Sequence, residues 1–456
     1  MVNKANTSYD ENRRLPHRNT MNLGEDIMKK LSRKFAAAAT ATVLCASLLS
    51  ACHSPTPPPA SEGESDIVTI DLIHYMGEAS KRDALDQIIE SFEDEHPNIK
   101  INAEGVPSDS YLTMYKTRIN ANDAPDIFFG APRDMVEFIE GGHFMDISDA
   151  DFLQQIVPEV LEETTYNGKY YGVPIDVQIK GVFYNKTMFE KAGLKVPDTW
   201  SEFTELCNTF AAQGQNPFIH NYNFTYACYQ EVDAALVPMS AALGGGDVFQ
   251  ASQSGTADLS TSELARTAME RFAFISSFRD DGDIGLDQAT GIENFAAGKR
   301  PMYVNGGWIM GDVMAAEPED EFGVFPYPWS ENAEENKLCV ALDDTFIVSN
   351  TTQHKDEVFA FLSYIVDTEA ANIWMEKTNI LSSCKDANTE DKSDYVKFVK
   401  SCVDSGQIAA KAGVPDYTAE YIDAYTTTLQ SFVVNNDGDV EDLLETLDTE
   451  MARIRG

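Results

Sequence analysis

Basic residues are scarce in this chain: 34 Lys and Arg stand against 74 Asp and Glu, a formal net charge of -40. So negative a surface repels phosphate backbones and anionic headgroups, which excludes nucleic acid as a partner, because that affinity rests on Lys and Arg displacing counterions. There is no His-Glu-x-x-His and no Gly-x-Ser-x-Gly, and Gly244-Gly245-Gly246 lacks the Lys and helix pattern of a phosphate-cradling loop. The 7 cysteines include no Cys-x-x-Cys and have no His cluster at metal-ligand spacing, so neither a metal nor a cofactor is expected. Asn435, Asp437 and Asp439 copy the start of a calcium loop, but Val440 stands where its glycine belongs, and the segment reads as a turn opening a helix. No repeat of 20 to 50 residues occurs, which excludes solenoids and propellers. Carboxylates are so abundant that no pair stands out as a catalytic acid and base.

What is present is length and apolar content. A chain of 456 residues, 43% of them hydrophobic, can form two or three domains with sizeable cores. Near the start, Met28-Lys29-Lys30 and Arg33-Lys34 precede an apolar run from Phe35 to Ala51 that is short for a membrane span. It ends in Leu49-Ser50-Ala51-Cys52, which resembles the lipobox of bacterial lipoproteins. The resemblance implies that 28–51 is a signal peptide, that Cys52 becomes a diacylglyceryl-modified N-terminus, and that the protein sits on the extracytoplasmic face of the cell membrane. Residues 1–27 read as an upstream extension, with translation starting at Met28. An acidic chain cannot be held to an anionic membrane by charge, whereas two acyl chains anchor stably. Residues 52–65, with Pro55, Pro57, Pro58 and Pro59, form a semi-rigid tether. The remaining Cys207, Cys228, Cys339, Cys384 and Cys402 lie in apolar contexts expected of core thiols, with Cys384 and Cys402 the one conceivable disulfide.

Periodicity predicts alternating strands and helices. Ile67–Ile73 reads as a buried strand, followed by a helix with Leu85, Ile88, Ile89 and Phe92 on one face and Ser80 with Asp83 as its capping box. Ile99–Ala103, a stripe of Tyr111, Tyr115 and Ile119, and Asp126–Phe129 continue the β-α-β-α-β order. Pro132 opens a helix ended by Gly141-Gly142. A second series begins at Ile179–Tyr184, runs through a helix capped by Thr199, and reaches Phe218-Ile219; strands at Met302–Val304 and Phe322–Phe325 and several helices follow.

Tyr171-Gly172-Val173-Pro174-Ile175-Asp176, the run from Val182 to Leu194, and Pro197-Asp198-Thr199-Trp200 together resemble the extracellular solute-binding proteins of family one. Ala124-Pro125-Asp126-Ile127, Phe295-Ala296-Ala297-Gly298-Lys299, Gly306-Gly307-Trp308 and Phe322-Gly323-Val324-Phe325-Pro326 extend the match over 66–456. The resemblance implies an α/β, two-lobed periplasmic-binding-protein-like fold of type II with a hinge between lobes. It implies lobes of 66–177 plus 345–392 and 178–344 plus 393–456, and delivery of a carbohydrate to the permease of an ABC importer with no chemical step.

A pyranose has an apolar C–H face and a rim of hydroxyls, so its site needs an aromatic platform with carboxylates and amides around it. The resemblance makes Trp308, after Gly306 and Gly307, the stacking residue. The rim candidates that the resemblance implies are His74 and Glu78 after the first strand, Gly130, Arg133 and Asp134 after the third, Asp176 and Gln178 at one lobe crossing, and Asp343 and Asp344 at the other. Tyr226 belongs to the group Tyr222, Phe224, Tyr226 and Tyr229, of which at least one is expected to face the cleft. His74-Tyr75-Met76-Gly77 lacks a Trp and Gly130 replaces a large aromatic, which argues against a long linear glucan. Three rivals remain: a cationic solute such as a polyamine held by Glu78, Asp176, Asp343 and Asp344, a surface glycosidase, and a structural lipoprotein with no small ligand.

Overall fold

The seven residues Val68–His74, four of them β-branched, form strand β1, and the helix α1, Ala79–Glu95, that follows turns Ala84, Leu85, Ile88 and Phe92 inward at helical spacing. The structure is a computed structural model and describes residues 67–130, 136–244, 246–316, 318–342, 344–410, 418–435 and 439–456. The signal peptide, the tether, Cys52, Pro132, Arg133, Asp134, Asp343 and Asp437 lie outside the described residues.

Strand β2 (Ile99–Gly105), helix α2 (Ser108–Asn120) and strand β3 (Ile127–Phe129) complete the first β-α-β-α-β run. β1 pairs in parallel with β2 and with β3, at Val68↔Ile99 and Leu72↔Ile127. Strand β4 (Val173–Pro174) and the later β10 (Thr345–Val348) join antiparallel, giving the order β2-β1-β3-β10-β4. Ile70, Leu72, Ile127, Phe129 and Phe346 pack in the core beneath helices α8 (Lys355–Ile365) and α9 (Thr368–Thr378). This is the first lobe.

The second lobe is built around β5 (Ile179–Asn185), almost wholly buried. One edge takes β8 (Phe322–Phe325) and β9 (Leu338–Val340), the other takes β7 (Met302–Gly306), and β6 (Phe218–Ile219) and β11 (Ile408–Ala409) lie outermost. Helices α3 (Trp200–Ala212), α4 (Tyr226–Leu243), α5 (Glu263–Ser276), α11 (Ala419–Asn435) and α12 (Val440–Arg455) enclose one core. Helices α6 (Gln288–Ala296), α7 (Met310–Ala315) and α10 (Asp394–Asp404) enclose the other. α4 carries Glu231 and Asp233 inward, and each has a partner: Glu231 accepts from Tyr222 Oη at 2.9 Å and meets His220 Nδ1 at 2.8 Å, and Asp233 meets Lys180 Nζ at 3.0 Å. A buried carboxylate without such partners would be costly.

The chain passes between lobes three times, side by side. Residues 175–178 lead from β4 to β5, Ala341 and Leu342 follow β9 with Asp344 just before β10, and 379–384 follow α9. The three are stitched by Ile175 N–H to Asp344 O at 3.1 Å, Ala341 N–H to Gln178 O at 3.0 Å, and Val177 N–H to Leu381 O at 2.7 Å.

One local expectation meets a different structure. The capping box of Ser80 and Asp83 does not form: α1 starts at Ala79, its N-cap Glu78 makes no side-chain cap bond, and Ser80 N–H bonds instead to Asp312 Oδ1 at 3.0 Å from the other lobe. The described part of the Pro132 helix is Val136–Glu140. Cys384 and Cys402 are both free and buried, as are Cys207, Cys228 and Cys339. Two local readings agree: Thr199 caps α3 through Glu202 N–H, and Asp439 caps α12 through Glu441 N–H at 2.9 Å.

Candidate functional site

Three of the named residues meet at the crossings. Asp176 sits on the first and Asp344 ends the second, both buried, and the Gln178 amide nitrogen lies between them, donating to Asp344 Oδ2 at 2.6 Å and to Asp176 Oδ2 at 3.0 Å. Trp374 Nε1 of α9 donates to Asp176 Oδ2 at 3.1 Å, and Lys81 Nζ, from the first turn of α1, donates to Asp344 Oδ2. Two carboxylates in a dry junction therefore share one ammonium and one amide. Burial alone would lower the Lys81 pKa, but Asp344, Glu78 and Asp176 overcome it and hold the ammonium above its ordinary value. Burial raises the Asp176 carboxyl well above the carboxylate range, Asp344 adds to the rise, and Lys81 offsets it only in part.

Lys81 and Trp374 are the members that sequence reasoning missed. Lys81 did leave a signal: it precedes Leu85 by four and Ile88 by seven, on the inward stripe of α1, where a lysine is out of place unless it has a buried partner. Asp176 Oδ1 and Gln178 Oε1 accept no hydrogen bond although both are buried. An unmet buried acceptor costs about 1–3 kcal/mol, so both atoms are poised for a donor.

Gly307 belongs to the same place. A β-carbon there would stand 2.6 Å from Tyr395 Oη and 3.6 Å from Gln178 Oε1, so the absent side chain is what lets the crossing close on the end of β7. Trp308 follows in a single turn of 3-10 helix, Gly307–Ile309; its indole folds back over Gly306, is 5% exposed, and packs in the cluster of Val177, Met310, Met375 and Leu381.

The other named residues are distributed along the strand ends. His74 and Gly130 lie at the carboxyl ends of the parallel strands β1 and β3, the edge where ligands collect in α/β sheets. His74 Nδ1 accepts from Met76 N–H at 3.3 Å, burial lowers its pKa against the opposing pull of Asp86, and Gly130 N–H donates to Thr345 O at 2.8 Å. Glu78 Oε1 accepts from Gln288 Nε2 of α6 at 2.8 Å, across the two lobes. Tyr226 opens α4, is 43% exposed, and lies beside Phe224; Tyr222 is fully buried, and Tyr229 lies under the Lys180 ammonium at 5.1 Å. The described residues contain no group of three or more His, Cys, Asp or Glu that could hold a metal ion, and no described helix is long and apolar enough to cross a membrane.

This architecture has known counterparts. The chain is 28% identical over 334 residues to the multiple sugar-binding protein of Streptococcus mutans, spanning 71% of this chain and 76% of that one. It is 23% identical over 278 residues to the melibiose/raffinose/stachyose-binding protein MelE of Bacillus subtilis, spanning 57% and 61%. Among solved structures, RafE in complex with raffinose superposes with a TM-score of 0.72 at 23% identity, covering 85% of this chain and all of that one. A chitin oligosaccharide binding protein superposes at 0.73 with 19% identity, covering 85% and 99%. These superpositions establish the two-lobed, type II periplasmic-binding fold. The model of the bacterial extracellular solute-binding proteins matches residues 78–372, which include α1, β2, β3, the first two crossings, the Gly-Gly-Trp turn and the start of α9, and the chain belongs to that family.

Proposed function

We propose that the protein is the receptor of an ABC importer, capturing a neutral mono- or oligosaccharide between its lobes and presenting it unaltered to the membrane permease. The carrying observation is the crossing cluster. Gln178 Oε1 and Asp176 Oδ1 are buried acceptors without a donor, beside the backbone of Gly307 and the turn that bears Trp308. Sugar hydroxyls are such donors, and an indole is a platform for the C–H face of a pyranose. The names of the relatives, and the raffinose in the RafE structure, support an oligosaccharide of the raffinose type.

Trp308, Asp176, Gln178, Asp344 and Gly307 form the centre of the site; His74, Glu78, Gly130, Arg133, Asp134, Asp343 and Tyr226 supply its margins. Residues 66–177 plus 345–392 and 178–344 plus 393–456 are the moving halves, and a solute that touches both favours closure because its contacts are complete only there. A polyamine is disfavoured because Asp344, one of the carboxylates that would bind it, is already paired with the Lys81 ammonium, and Glu78 accepts from Gln288. A glycosidase is disfavoured because its two carboxyls must flank a bond, whereas Asp176 and Asp344 are tied to one amide nitrogen. Cys52 carries the lipid anchor, after a signal peptide at 28–51.

Calorimetry with raffinose, stachyose and spermidine on the chain from Ser65 tests the reading. Saturable sugar binding is expected, with a rise in melting temperature equivalent to about 2.7 kcal/mol at a hundredfold excess over Kd. Spermidine binding without sugar binding, or release of reducing sugar, would overturn it. For the anchor, Cys52→Ser is expected to move the protein from the detergent to the aqueous phase; retention in the detergent phase would remove Cys52 from that role.

A further inference from the structure

A helix begins with four backbone N–H groups that its own ladder cannot satisfy, and a side-chain oxygen at the N-cap ordinarily takes one or two of them. α1 lacks that arrangement. Glu78 occupies the N-cap without a side-chain cap bond, and its carboxylate is directed to Gln288 of the second lobe. The oxygen that meets the first turn comes from 232 residues away: Asp312 Oδ1, in the first turn of α7, accepts from Ser80 N–H at 3.0 Å. Gly311 makes the approach possible. A β-carbon there would stand 2.5 Å from Ser80 Oγ and 2.7 Å from Thr378 O, the second of which is backbone at the end of α9 and cannot turn aside.

We infer that Asp312 and Gly311 form a latch in which the second lobe caps the first helix of the first, so that the closed arrangement is held by protein–protein contacts in addition to solute. The inference rests on the clamp reading above, and deepens it by assigning positioning residues to closure. Opening the lobes removes the side-chain oxygen that meets the Ser80 N–H among the described residues and returns that group to water. Closing restores the bond, with Gln288 engaging Glu78 alongside. Asp312 thereby sets how much of the binding energy a solute must supply to close the lobes.

The test is a distance distribution measured by pulsed electron resonance between spin labels on Asn120 of α2 and Asn208 of α3, both exposed and in different lobes. It is recorded on the chain from Ser65, without solute and with raffinose. Asp312→Ala is expected to lower the closed-to-open ratio about fivefold, the usual weight of one capping oxygen. Asp312→Asn keeps an oxygen of the same reach and is expected to restore the ratio. Gly311→Ala, which suits a helix, is expected to lower it through the clash with Thr378 O, and Ser80→Ala, which keeps the backbone donor, to leave it unchanged. Far-UV circular dichroism of each variant checks that the lobes are folded. Wild-type and Asp312→Ala distributions that coincide while both respond to raffinose would overturn the latch and leave the clamp standing. A single distance in every sample would overturn the clamp together with the latch.

Discussion

Replacing Lys81 with Met removes the one ammonium that serves two buried carboxylates while keeping most of the side-chain volume. The Lys81 and Asp344 side chains are 5% and 3% exposed, so water cannot take over the lost interaction. Breaking a buried pair by deleting one member costs about 3–5 kcal/mol, because the survivor is left charged in a dry place. At about 2 °C per kcal/mol, the low end for a chain this long, the melting temperature should fall on the order of 6–10 °C at pH 8. The sign of the pH dependence follows from the groups left behind. In the wild type, the Lys81 pKa is raised, so its contribution is complete through the neutral range and is lost only as pH climbs past that raised value. In the variant, Asp176, whose carboxyl burial and Asp344 already hold well above the carboxylate range, loses the offset that Lys81 gave, and a raised carboxyl gives stability below its unfolded pKa that disappears as pH rises. The deficit should therefore be small near pH 4 and grow toward pH 8. Adding Asp344→Asn to Lys81→Met should recover most of it. Calorimetric melts at both pH values provide the check. A variant that melts within 2 °C of wild type at pH 8, or whose deficit is larger in acid, would refute the reasoning.

Two further outcomes are expected. Asp176→Asn keeps a carbonyl oxygen for the Gln178 and Trp374 donors and mimics the protonated carboxyl; because burial and Asp344 raise the Asp176 pKa, the variant should match wild type in acid and become the more stable of the two as pH rises, in urea midpoints taken from pH 4 to 8. A difference independent of pH would mean that Asp176 is not held in a raised state. Trp308→Ala should lose about 3–5 kcal/mol of stability, since the indole is buried in an apolar cluster. It should also weaken raffinose binding at least about tenfold, or 1.4 kcal/mol, at a temperature where the variant remains folded. Unchanged affinity would remove Trp308 from the solute site even if stability fell.

Local pattern carried the strands and helices of both lobes, because an apolar stripe at helical spacing or a continuous β-branched run needs no knowledge of its partner: Ile70 and Leu72 of β1, and Leu443, Leu444, Leu447 and Met451 of α12, are buried where periodicity puts them. The expectation that Asp176, Gln178 and Asp344 stand where the chain leaves one lobe and re-enters it came from the resemblance to family one, which periodicity by itself does not supply. Their chemistry was not legible in the sequence. The Lys81–Asp344 bond spans 263 residues and the Ser80–Asp312 bond spans 232, and no local signal states which distant group a buried charge or an uncapped helix will meet. For that reason Ser80 and Asp83 looked like a self-contained cap on sequence, while the fold hands the capping oxygen to the opposite lobe. Composition alone carries the expectation that so acidic a chain turns away from nucleic acid. Tertiary structure alone decided which of its many carboxylates are buried, paired and able to act, since the cost of burying a charge depends on neighbours that only folding brings within reach.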